Sequence, residues 1–341
     1  MKSRIGWYTL VAGVLGAALA TNAAACRAEP ASGATRGSST SSSTSSSTSG
    51  STSSGAGAGG NDACDGQVAT IEDVTTDAVG SGISVRLVGV VAMSKKFLVH
   101  QSKTGSCLWG VFVSAPGLAE TKANSGLIVK SYGDDAVIPM DQADAVCPKL
   151  GEEPAGDAIP DDVQPGDVLD IVGEPSTFPT VDLMAEFCTK PGDTAVAGRE
   201  LAFTCSAVKT GTAPVPTPHT VTAEEIEKLM DPSDDEFHAQ WANVWLRLAD
   251  VTPASDTVVG PYGVIMLTQG DVEVSNNFYY VKGSNEVCEV GPTFINMPPL
   301  TWNRIDGFSY LDFCRWSIQP TDKCADFDPF STDCTSATQC Q

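Results

Sequence analysis

Lys95, Lys96 and Lys103 stand with Phe97, His100 and Trp109 in the stretch SKKFLVHQSKTGSCLW, residues 94–109, the one local basic cluster of the chain. Ammonium groups interleaved with rings suit a polyanion: the lysines would meet about three phosphates and the aromatics would stack on bases. These six residues are the candidate ligand-binding set. The competing reading makes Phe97 and Trp109 core residues and leaves the lysines to guard an edge strand. A second candidate lies in the tail DKCADFDPFSTDC, residues 322–334, where Asp326, Asp328, Ser331 and Asp333 offer oxygens at spacings a calcium loop can use. The tail lacks the central glycine and terminal glutamate of an EF-hand, so it reads as a solvated segment pinned by disulfides. No metal and no cofactor is expected.

Catalytic chemistry leaves no comparable mark. The sequence has no GxSxG elbow, no HExxH, no P-loop and no dinucleotide fingerprint. The carboxylate pairs Asp134-Asp135, Asp161-Asp162 and Asp234-Asp235 read as loop charges of an acidic chain. Residues 61–341 hold 16 basic and 41 acidic side chains, a formal charge of −25. Such a surface repels nucleic acid and anionic headgroups at long range, so nucleic acid is not an expected partner despite the lysines.

The cysteines locate the protein. There are eleven, an odd number. Residues 1–26 open with Lys2 and Arg4, run apolar from Ile5 to Ala20 and end on small residues, the layout of a signal peptide. The apolar run falls short of the roughly 20 residues that span a bilayer. Ala23-Ala24-Ala25 leads directly into Cys26. This stretch resembles the lipobox of bacterial lipoproteins, with Ala23 where leucine is usual, and the resemblance implies that Cys26 carries lipid and heads the mature chain. Residues 27–60 follow, and 38–60 are almost wholly Ser, Thr, Gly and Ala: a flexible tether whose 23 residues have a mean span of about 26 Å. Setting Cys26 aside leaves Cys64, Cys107, Cys147, Cys188, Cys205, Cys288, Cys314, Cys324, Cys334 and Cys340, an even set for five disulfides in an oxidising compartment. Their pairing stays open. With no CxxC and only His100, His219 and His238 as imidazoles, a zinc site is not expected.

These groups need a scaffold, and the body reads as all-β. ISVRLVGVVAM, KFLVHQ, WGVFVSA and GDVLDIVGE are short, Val-rich and punctuated by Gly or Pro, and NVWLRLADVT alternates cleanly. A Pro-rich connector is expected over 210–221, between a first domain at 61–209 and a second at 222–341. Thr222 with Glu225 forms a capping box that predicts a short helix near 222–230. The halves echo each other through Trp109-Gly110 and Tyr262-Gly263 and through a strand glycine near the close of each, Gly173 and Gly307. The order V-x-L-x-G-V-V, G-V-F-V and P-G-D-V-L-D-I-V-G-E, from Val85 to Glu174, resembles the OB-fold domains of secreted and lipid-anchored bacterial proteins, including those beside extracellular nucleases. The resemblance implies two small OB-like β-barrels in tandem, braced by disulfides, with Gly89 at the bend of a coiled first strand. Residues 241–326 look like a divergent copy. The resemblance also implies that the face around strands two and three, where residues 94–109 fall, binds oligonucleotides or oligosaccharides.

The sequence thus reads as a binding or interaction module without a catalytic site, lipid-anchored in the bacterial cell envelope at the outer membrane, with an envelope protein or a glycan as partner. The alternatives are a carboxylate-dependent enzyme acting on extracellular glycans and a purely structural surface protein. Cys26→Ser is expected to release the protein from membranes and to abolish uptake of labelled fatty acid; a wild type that takes up no label would refute the anchor.

Overall fold

The computed structural model describes residues 64–101, 106–135, 147–148, 150–151, 153–178, 188, 198–231, 234–254, 265–268, 272–274, 301–312, 314–322 and 325–328. The expected signal peptide, Cys26, the tether, Lys103, Ser331, Asp333, Cys288, Cys324, Cys334 and Cys340 lie outside these residues. What is described is mostly β, with three short helices, and forms two sheets.

The first sheet contains β1 (Gln67–Ala69), β2 (Val85–Ala92), β3 (Phe97–Gln101), β4 (Ser106–Ser114), β5 (Gly126–Asp135), β6 (Asp167–Phe178) and β7 (Gly198–Thr212). Its pairings run β2–β6–β7–β5–β4 and return to β2, where Val91 faces Ser114 and Ala92 faces Val113. Every pairing in that circuit is antiparallel except β5 with β7. The return needs β2 to bend. Its first three residues pair with β1 and its last two with β4, and between them the register against β6 slips at Gly89. Gly89 sits at φ +68°, which a side chain would resist, and its N–H donates to Asp170 Oδ1 at 3.0 Å.

Alternation along the strands sets the core. Val111, Val113, Leu127 and Val129 point to one side, with Val85, Leu87, Leu169, Ile171 and Leu201, and all are buried there. Helix α1 (Ile71–Thr75) adds Ile71 and Val74 to this cluster, held by a capping box between Thr70 and Asp73. Phe112 and Ile128 point to the other side.

The second half repeats the pairing order. β9 (Trp245–Val251) pairs with β12 (Trp302–Asp312), β12 with β13 (Arg315–Gln319), β13 in parallel with β11 (Glu273–Val274), and β11 with β10 (Ile265–Met266). A bridge from Pro253 to Leu267, flanked by Ala254 N to Met266 O at 2.7 Å, joins the end of the β9 segment to that of β10. β8 (His219–Thr220) and β14 (Phe327–Asp328) lie beside β9 and β12. Gly173 on β6 and Gly307 on β12 occupy matching strands. A Cβ on Gly173 would stand 3.0 Å from Leu201 Cγ, and one on Gly307 2.6 Å from Ile318 Cγ2, so each lets a neighbouring strand close in.

Helix α2 (Ala223–Met230) forms where the Thr222–Glu225 box predicts one. Helix α3 (Asp235–Trp241) was not expected: Asp234, read as half of a loop pair, caps it by accepting from Phe237 N at 3.0 Å. The segment over 210–221, read as a connector, is built into both halves. β7 runs on to Thr212, Thr217 bridges Glu120, and His219–Thr220 joins the second sheet. Three disulfides lie among the described residues: Cys64–Cys205, Cys107–Cys147 and Cys188–Cys314, the last linking the halves.

The halves belong to one compact unit, Ala63–Gln341. Phe112, pointing out of the first sheet, stacks on Phe308 of the second with centroids 4.0 Å apart and planes 6° from parallel. Tyr310 meets Phe112 edge-on, and Phe97, Met93 and Ile128 close the cluster. Hydrogen bonds seal its margin: backbone Asn124 N to Gln240 O at 2.7 Å, and the Asn243 side-chain Nδ2 to Arg199 O at 2.8 Å. Phe112 and Phe308 are 0% and 1% exposed. Phe112→Ala is expected to cost about 3–5 kcal/mol, and the double variant with Phe308→Ala less than the sum, because the two rings share one contact. Chemical denaturation checks both.

Candidate functional site

The structure divides the basic and aromatic cluster. Lys96 is wholly buried, its Nζ donating to Asp157, to Asp161 Oδ1 at 2.5 Å and to Ile159 O at 2.8 Å, and it lies 5.3 Å from the centre of the Trp109 ring. Phe97 and Trp109 are 6% and 2% exposed. As a ligand-binding set these three are corrected to interior residues: Lys96 staples the segment 157–161 to the sheet, and the two rings are core. Asp161 is accordingly an ion-pair partner and no mere loop charge. Burial pushes the Asp157 carboxyl above the usual range, against the pull of Lys96. Nothing local announces these partners, which stand 61 and 65 residues from Lys96 in sequence. Lys95 and His100 remain exposed.

His100 belongs to a different constellation. It faces Leu108 across β3 and β4, and Leu108 faces Tyr132 across β4 and β5, so the three side chains share one face. Phe203 on β7 continues the row, its ring centre 5.9 Å from that of Tyr132. Tyr132 is 51% exposed and Phe203 59%, with Leu108 half-buried. Sequence reasoning missed Tyr132 and Phe203, because only the register of four strands brings them beside His100.

Lys130, two residues before Tyr132, points to the same face. Its ammonium is 2.5 Å from Glu200 Oε2 and 4.9 Å from the centre of the Phe178 ring. Burial, the largest single influence, would lower its pKa, but the Glu200 carboxylate together with Tyr310 and Tyr132 outweighs it and the pKa is raised. Lys130 therefore stays an ammonium and is no nucleophile. His100 is exposed overall, yet partial desolvation of the imidazole and, second, the Lys130 charge hold its pKa below the ordinary value. The Lys130–Glu200 pair lines a shallow cleft that reaches Asn243, Tyr310 and Trp316 and has a volume of about 10 Å³, far below the roughly 300–1,000 Å³ of pockets that enclose a ligand.

The described residues thus offer exposed rings on one face of the strands, beside ion pairs already satisfied within the fold. No group of three His, Cys, Asp or Glu side chains suited to a metal occurs among the described residues, and no described helix is long and apolar enough to cross a membrane. Comparison with protein-family models, with curated proteins and with solved structures returns no match.

The tail behaves unlike a calcium loop at the two positions described. Asp326 is buried, its Oδ2 accepting from Thr321 N at 2.6 Å and Asp322 N at 2.8 Å, and Asp328 accepts from Asn303 Nδ2 at 3.2 Å. Nearby, Asp306 takes both Arg247 Nε and Nη2 at 2.7 Å and Arg304 at 2.5 Å. Burial, which outweighs the two amide bonds, pushes the Asp326 pKa up to about 6 from 3.8. The folded chain therefore keeps a proton that the unfolded chain has lost between about pH 4 and 6, so this group's contribution falls as pH rises through that window. Above it the ionised group costs about 3 kcal/mol. Wild type minus Asp326→Asn, compared by denaturation at pH 4 and pH 7, is expected to show that loss; equal differences at both pH values would refute it.

Proposed function

We propose that this protein is an extracytoplasmic binding module: two OB-like barrels in tandem, tied to the cell envelope through lipid on Cys26, with its contact surface on the outer face of the first barrel. The observation that carries this reading is the circuit of pairings, β2–β6–β7–β5–β4 and back to β2, followed in the same order by the second half. Five strands in a closed Greek-key circuit are the plan of an OB barrel. The bend at Gly89 and the matched glycines Gly173 and Gly307 support it. The disulfides support export, since an oxidising compartment is where such bonds persist.

The same plan supports the choice of surface. Part of the outer face of β4 and β5 is covered by Phe308, Tyr310 and Trp245 of the second half. The part beyond Lys130 carries His100, Leu108, Tyr132 and Phe203 and stays exposed or half-buried. Full-length protein on a resin is expected to retain envelope material that the triple variant His100→Ala, Tyr132→Ala, Phe203→Ala does not. Equal retention by both, or none by either, would overturn the reading in favour of a structural coat component.

A further inference from the structure

We propose that the row of His100, Leu108, Tyr132 and Phe203 binds an uncharged glycan, stacking sugar rings on Tyr132 and Phe203. This rests on the binding-module reading and names its ligand.

The backbone beneath Phe203 is the first ground. Phe203 sits at φ +48°, a left-handed conformation that a bulky aromatic adopts only at a cost. Burial of the ring does not offset that cost, since 59% of the residue is exposed. The distortion is a large bulge: Ala202 faces Glu174 and Ser206 faces Val172, so Phe203, Thr204 and Cys205 together oppose Gly173 alone. Bulges re-aim side chains, and this one turns a phenyl ring to solvent beside Tyr132. It is held on two sides. Cys205 is bonded to Cys64, and Ser131 Oγ donates to Thr204 O at 3.1 Å. A fold that needed only a strand here would be relieved by glycine at 203; what phenylalanine adds is the exposed ring.

Charge chooses the ligand. Among the described residues of this face the one lysine is already paired with Glu200 at 2.5 Å, and burial holds the His100 pKa below its ordinary value. A phosphate or carboxylate polymer would meet no unpaired cation among the described residues of the row and would approach a body of charge −25. A stable protein partner needs about 800 Å² on each side, more than four partly exposed side chains supply. A pyranose has what the row lacks and needs what it has: an apolar C–H face to lie on each ring, and hydroxyls at its edge for the Tyr132 phenol and the His100 imidazole.

The test uses the detergent-solubilised full-length chain in calorimetric titrations with two neutral probes, cellohexaose and chitohexaose, and two anionic ones, polygalacturonate and a 20-nucleotide oligo-dT. At least one neutral probe is expected to bind at millimolar concentration or below, with an affinity that does not change with added salt. Phe203→Ala and Tyr132→Ala should each weaken it at least about tenfold. Phe203→Gly should abolish binding while raising the thermal midpoint, a readout that separates loss of the ring from loss of the fold. Binding unchanged in these variants, or anionic probes binding as well as neutral ones, would overturn the proposal. If neither neutral probe binds but the triple variant still loses envelope material, the glycan falls and the binding module stands; if retention is unaffected too, both fall.

Discussion

The stacked rings of Phe112 and Phe308 decide what the rest of this structure can be. They join the outward side of one sheet to the second, and the two backbones approach each other closely beside them: a Cβ on Gly126 at the start of β5 would lie 2.2 Å from Asn243 O. With the joint made there, half of the β4–β5 face becomes interior and the other half remains surface. The two halves therefore share one hydrophobic seam and cannot be treated as beads on a string. The division between the covered rings and the uncovered row follows from strand alternation and from the length of β12, with no separate feature needed to place it.

Positive charge is scarce in this chain, and the fold consumes part of it. Lys96 serves Asp157 and Asp161, Lys130 serves Glu200, and Arg247 and Arg304 converge on Asp306, which is 2% exposed. Each of these carboxylates is matched by a cation whose removal would leave an uncompensated charge inside, whereas the buried Asp326 is held by backbone amides and has its pKa pushed up to about 6. That accounting explains how a body rich in carboxylates can close a core at all, and why its exposed chemistry is left to rings.

Much of the scaffold was legible before the structure. Val-rich alternation located β2, β4, β6 and β9, the Thr222–Glu225 box located α2, and Gly89, Gly173 and Gly307 fell where backbone geometry demands glycine. These signals are local, carried by neighbours along the chain. Pairings were not legible: Cys64 with Cys205 and Cys188 with Cys314 are 141 and 126 residues apart. Neither was the fate of Lys96, whose neighbours in sequence advertised a cationic surface while its partners in space lie in a loop more than sixty residues on. The aromatic row escaped for a related reason. His100, Leu108, Tyr132 and Phe203 come from four strands, and the run LAFTCSA around Phe203 contains no Gly, Asn or Asp to hint at a left-handed turn.

The bond between Cys64 and Cys205 also has a mechanical meaning. Residues 1–63 enter the folded unit at Cys64, three residues ahead of β1, and Cys64 is covalently fastened to the middle of β7. A pull on that leading segment is delivered to β7 through the crosslink, and the short β1 ladder is bypassed. The strand that takes the load is the one that carries Phe203 and pairs with both β5 and β6. Tension that enters at Cys64 is therefore passed to a strand paired along much of its length with β6, two residues from the exposed Phe203 ring.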